Sequence, residues 1–284
     1  MKTLRPLAVV VVSILFAVSL TAQESLPDSD VQKLAAIDRL RNLRSSDVAA
    51  LKFRAQSGAP EDQYLLGLIY RSGQIVMTDL AASRYWILQS AQQGYAPAET
   101  TMGEMYLGNQ RTDDPVRSAA DAERWLRQAA TQGDAEAQLW LGIDFERGYF
   151  GKVDYAQALQ WTRKSAEQGL PIAQYSLAQM YVDGHGVPQS DENAAFWLRR
   201  AADHYSDVDG VFPSEVELAY MYRDGRLKAN NVEAYKWFAV VGAAVDPPTD
   251  EDVKNISASM TEVQIAQARA EVDRWIAYHP PRPR

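Results

Sequence analysis

Residues Ala173–Ala202 read AQYSLAQMYVDGHGVPQSDENAAFWLRRAA. The stretch begins with apolar residues at helical spacing, breaks at Gly184-His185-Gly186, and resumes helical spacing around Trp197. Two helices joined by a glycine turn is the simplest unit that fits, and the rest of the chain repeats it. Five tryptophans, Trp86, Trp125, Trp161, Trp197 and Trp237, lie 39, 36, 36 and 40 residues apart. A small residue in the preceding helix keeps step with them: Gly67, Gly103, Gly142, Ala178 and Ala219.

Both columns carry physical detail. Before the small residue stand Leu66, Met102, Leu141, Leu177 and Leu218, and three after it Tyr70, Tyr106, Phe145, Tyr181 and Tyr222. The first helix of each copy, helix A, thus has an apolar face with a small residue where a neighbour can approach closely. It is expected to end at Gly73, Gly108, Gly148, Gly184 and Gly225, in left-handed caps. Seven residues before each tryptophan stand Asp79, Ser118, Asp154, Ser190 and Asn230, side chains that accept hydrogen bonds from the free N–H groups opening a helix. Helix B therefore starts at a fixed place and runs on to small pairs such as Ala129-Ala130 and Ser165-Ala166. The Trp and Tyr stripes read as core, and no single copy can bury its apolar face alone, so stacking is required.

The division expected from this pattern is a leader over 1–22, N-terminal capping helices or a degenerate repeat over 23–58, five repeats over 59–245, and a C-terminal capping helix and tail over 246–284. The N-terminal part reads as helices over 29–43 and 46–57, the second resembling the end of a helix B. At the other end, a helix over 261–277 offers Val263, Ala266, Ala270 and Ile276 to cover the last repeat.

The Ala173–Ala202 stretch closely resembles the Sel-1-like repeat, a relative of the tetratricopeptide repeat. LGIDFERGYFGKVDYAQALQWTRKSAEQG, Leu141–Gly169, matches the same spacing. ASMTEVQIAQARAEVDRW, Ala258–Trp275, is similar to the helix that often closes bacterial proteins of this kind. The resemblance covers roughly residues 54–278. It implies an all-α solenoid of stacked helix-turn-helix repeats, a right-handed superhelix with helices A on its concave side. It also implies an adaptor or regulator that binds other proteins.

Composition narrows the partners. The chain has 284 residues, no cysteine and a net charge of −8. An acidic surface disfavours nucleic acid and anionic membranes. Lys2 and Arg5 followed by the uncharged apolar run Leu7–Leu20 and Ala22 have the layout of a secretory signal peptide. That points to an exported protein, periplasmic or secreted, with no membrane span once the leader is removed. Nothing in the sequence calls for a cofactor.

Helix A positions that vary between copies are the candidate partner-binding groove. Two residues before the small column stand Leu65, Thr101, Trp140, Ser176 and Glu217, and one after it Leu68, Glu104, Ile143, Gln179 and Tyr220. The two sets are three apart, share a face and form a ladder when copies stack. Several members are more apolar than a solvated face needs, which suits a protein or peptide partner. The competing reading is that neighbouring repeats simply cover them.

Catalysis finds little foothold. His185, His204 and His279 lack the spacing of a metal pair or a triad. The loop over 203–213 contains Asp207-Val208-Asp209-Gly210, a fragment of a calcium loop without its first and last ligands. An envelope enzyme or glycan-binding factor using the acidic loops and aromatics is the alternative to a non-catalytic scaffold.

Overall fold

In the computed structural model the described residues are 28–107, 118–204, 213–228, 230–244 and 250–278. The leader-like segment, the Gly108 turn, the calcium-loop fragment and the proline-rich tail lie outside them. Among the described residues there are fourteen α-helices and no strand. They divide into two compact units, one ending at Gln168 and the other beginning at Gly169.

The first unit opens with α1 (Asp28–Asn42), a short 3-10 turn (Ser45–Asp47) and α2 (Val48–Gln56). Three helical pairs follow: α3 (Pro60–Ser72) with α4 (Leu80–Ala91), α5 (Ala96–Leu107) with α6 (Ala119–Thr131), and α7 (Ala135–Arg147) with α8 (Tyr155–Glu167). The second unit has α9 (Pro171–Asp183) with α10 (Asp191–His204), then α11 (Pro213–Arg223) with α12 (Asn231–Ala244). It is closed by α13 (Asp250–Ser257) and α14 (Glu262–Tyr278), both packed on α12. Helices α3, α5, α7, α9 and α11 are the A helices and their partners the B helices. Within each unit every B helix also packs on the A helix that follows it, which is solenoid stacking.

The small column has a steric cause. A Cβ added at Gly67 would stand 2.4 Å from Ile87 Cγ1, at Gly103 2.5 Å from Leu126 Cγ, and at Gly142 2.1 Å from Thr162 Oγ1. Each of those contacts is the residue just after the ruler tryptophan, so A and B helices touch backbone to side chain at one repeated point. The caps are equally regular. Asp79 accepts from the Ala82 N–H at 2.9 Å, Ser118 from Asp121 at 3.2 Å, Asp154 from Gln157 at 3.0 Å, Ser190 from Asn193 at 3.2 Å and Asn230 from Val232 at 3.1 Å. Gly148 and Gly184 close α7 and α9 with φ of 74° and 76°, the left-handed region that only glycine enters freely.

Two terminal details differ from the expectation. Helix α2 sits before α3 as a B helix would, and its Ala55 carbonyl accepts from Gln63 Nε2 at 3.0 Å, as Ala130 accepts from Gln138. Helix α1, by contrast, does not act as the A partner of α2. It packs on α3 and α5. At the other end the predicted face of α14 is corrected in part: Val263 is 78% exposed, Ala266 and Ala270 are exposed too, and Ile276 is half-buried. The covering residues are Ala268, Val272 and Trp275, with Trp275 meeting Trp237 edge-on at 6.3 Å. The large indole sets the rotation of the helix, because it has the most apolar area to bury.

Candidate functional site

The ladder positions fall on the A helices as the spacing requires, and their surroundings change along the chain. In the first unit Leu65, Leu68, Thr101 and Glu104 are buried, Leu65 fully and Glu104 at 5% exposure. Trp140 and Ile143 are half-buried, as are Ser176, Gln179, Glu217 and Tyr220 in the second unit. Adjacent rungs do touch: Trp140 Nε1 donates to Glu104 Oε1 at 2.9 Å, across 36 residues of chain. In the second unit Arg226 joins Glu217 of α11, at 3.0 Å, to Asp191 of α10. Tyr220 packs edge-on against Phe238 and lies under the Arg223 guanidinium at 4.4 Å.

What distinguishes the first unit is α1, which lies across its A helices. The Tyr95 hydroxyl donates to the Gln32 carbonyl at 3.2 Å. Lys33 pairs with Glu136 of α7, both side chains buried. Arg39 reaches Glu61 at 3.4 Å and pairs with Asp62, both on α3. Ala36 and Ile37 are buried between these polar anchors. Three consecutive A helices thus hold one helix that belongs to no repeat. Glu104 lies within this cluster. Burial pushes its carboxyl up, while Lys33, Arg71 and the Trp140 N–H hold it down.

Sequence reading missed α1 on this face. It also missed a second column, four residues before the small one: Gln63, Glu99, Gln138, Gln174 and Glu215. Its regularity was visible once sought, since all five are amides or carboxylates. Gln63 and Gln138 each donate to the last turn of the preceding helix and accept from Gln93 and Gln168, both at 2.7 Å. Glu99 accepts from Gln132 at 2.6 Å but has no amide to donate. Burial, aided by the Asp134 charge, pushes its carboxyl up to about 7. Protonation would supply the donor that glutamine supplies in the first and third copies.

A pH dependence follows. Between about 4.5 and 7 the folded protein holds a proton on Glu99 that the unfolded chain has lost, so stability falls as pH rises through that window. Glu99→Gln should therefore raise the melting temperature at pH 8 by a few degrees, through roughly 1 kcal/mol from the restored hydrogen bond. The gain should shrink towards pH 5. Melting curves of both proteins at the two pH values check this, and a gain of equal size at both would refute it.

The Sel1 repeat matches this chain at residues 60–95, 98–134, 135–170, 171–206 and 213–239. The chain belongs to the Sel1 repeat family. Among curated relatives, the uncharacterized protein NMB1327 of Neisseria meningitidis is 31% identical over 55% of this chain and 32% of its own length. The chitin synthase regulator SKT5 of Saccharomyces cerevisiae is 30% identical over 49% of this chain and 20% of its own. The alignments thus span a third or less of those two proteins. The Sel1-repeat-containing protein YjcO of Escherichia coli is 24% identical over 64% of this chain and 78% of its own. Among solved structures, c5321, a protective antigen of uropathogenic E. coli with an SLR fold, superposes with a TM-score of 0.67 at 25% identity. It covers 81% of this chain and 48% of its own. A Sel1 repeat protein of Oxalobacter formigenes gives 0.61 at 25% identity, covering 72% and 58%. Sel1 proteins generally mediate protein–protein interaction and are typically non-catalytic scaffolds. The enzyme or glycan-binding alternative finds no supporting observation among the described residues.

Proposed function

We propose that this Sel1 protein is a non-catalytic adaptor or regulator of the cell envelope that binds a segment of another protein along the A-helix faces of its repeats. The observation that carries the reading is α1, a helix outside the array that already lies on the A helices of the first unit. A face that holds one helical segment has the shape and side chains to hold another. In the second unit the corresponding residues, Ser176, Gln179, Glu217 and Tyr220, remain partly open to solvent. The envelope assignment rests on the leader-like residues 1–22, and a regulatory role on the likeness to the yeast chitin synthase regulator.

A photo-crosslinking residue placed at Gln179 should give one discrete adduct in cells, and the same residue at the exposed Gln160 of α8 should give none. Trp140→Ala with Ile143→Asp should weaken capture through the first unit while helicity is kept. Equal labelling from Gln160 and Gln179, or no adduct from either, would sink the reading.

A further inference from the structure

We propose that the A-helix face of the first unit is a docking site for a cationic amphipathic helix of a partner protein, and that α1 is its resident occupant, displaced when such a helix arrives. This rests on the reading of the A-helix faces as partner surfaces and names the chemistry one of them selects.

The floor of the face is acidic. Glu136 of α7 pairs with the Lys33 ammonium, whose charge also acts on the Glu104 carboxyl of α5, and Asp62 of α3 takes Arg39. All three carboxylates are buried beneath the repeats' own side chains and α1. A neutral or acidic helix laid there would leave Glu104 and Glu136 buried with one cation fewer, and a buried charge deprived of its partner is heavily penalised. The occupant must therefore bring a cation at the Lys33 position and aliphatic residues three and four positions on, and a second cation at the Arg39 position adds to the one that Arg54 of α2 already gives Asp62 at 3.0 Å. The chain's own segment DSDVQKLAAIDRLRN meets that pattern.

The same contacts make α1 a modest binder. Its apolar contribution among the described side chains is the buried Ala36 and Ile37 and the half-buried Leu40. Buried ion pairs return little net stability, because desolvation offsets most of the attraction. What favours α1 is tethering, since the few residues between α1 and α2 give it a high local concentration. A partner helix with a larger aliphatic stripe and the same cations gains on contact area what it lacks in tethering. Its apparent affinity is reduced by the fraction of time α1 occupies the face.

The test uses a fluorescein-labelled peptide of residues 28–42 as the probe, titrated into the full chain and followed by anisotropy. The variant Ile37→Asp, which weakens α1, should bind the peptide at least tenfold more tightly than the unmodified chain. Adding Glu136→Lys should lose that binding, and a peptide carrying Lys33→Glu should recover it on the Glu136→Lys background. Equal affinity for the unmodified and Ile37→Asp chains, or indifference to Glu136→Lys, overturns the proposal. So does loss of repeat helicity in Ile37→Asp, which would make α1 part of the core. A dimer formed by exchange of α1 also overturns it, assigning the face to a second copy. Independently of any variant, saturating peptide should speed hydrogen exchange of the α1 amides in the unmodified chain, and unchanged protection refutes displacement. A partner adduct at Gln179 alongside a negative peptide result overturns this assignment alone and leaves the general function standing.

Discussion

Trp125→Ala is expected to be the most damaging single truncation in the first unit. The indole is 6% exposed and belongs to a cluster with Leu66, Ile69, Ile87 and Met102. Removing it loses its buried area and leaves a cavity between two repeats, at a cost of about 3–5 kcal/mol. For a chain of this size that lowers the melting temperature by on the order of 10 °C. Trp125→Phe should cost far less, under about 1.5 kcal/mol, because it keeps a ring in place. It also discards an indole N–H with no hydrogen-bond partner among the described residues. Calorimetry on the two variants separates the explanations: if Phe costs as much as Ala, the tryptophan acts through its N–H and the packing account fails.

Gly142→Ala should destabilise where helix propensity says it should help. In an ordinary helix the change gains about 0.5–1 kcal/mol. Here the new methyl meets Thr162 Oγ1 at 2.1 Å and the Thr162 backbone nitrogen at 3.1 Å. Separating α7 from α8 to admit it should cost about 1–3 kcal/mol, enough to reverse the sign. Thr162→Ala in the same chain should recover part of the loss, and lack of any recovery would place the strain elsewhere. The fourth repeat shows that a methyl is tolerated when the pair is built around it, since Ala178 is fully buried against the cluster containing Leu198.

These two residues also show why the repeat architecture was readable in sequence. A ruler tryptophan, a glycine at a helix crossing and a capping Asp or Ser each answer a constraint that acts within one copy. Repetition multiplies the signal: all five capping positions bond as their residue types require. The placement of α1 had no such support. Arg39 and Lys33 find their partners on two different A helices and Gln32 at Tyr95, just before a third, up to 103 residues away at Glu136, and none of those contacts recurs. A periodic reading suppresses what happens once. The same reasoning applies to α14, where one tryptophan, Trp275, decides which side faces α12 and no other copy of the helix exists for comparison. For the groove, spacing gave the shared face, but the acidic floor became visible only through the Lys33–Glu136 pair and the action of the same lysine charge on Glu104.

The glutamine column has a consequence for how such a chain can lengthen or shorten. Gln63 and Gln93 lie in the same repeat, as do Gln138 and Gln168, so each of these two copies carries both halves of its amide pair. The Gln63 or Gln138 amide N–H donates to a main-chain carbonyl, Ala55 or Ala130, which any preceding helix of the same geometry offers whatever its sequence. Duplication or loss of one whole repeat would therefore preserve these buried bonds, provided the break falls between copies. A break inside a copy would strand an amide in the interior. Copy number is thus free to drift in steps of one repeat, and the chain's polar wiring dictates where the cuts can fall.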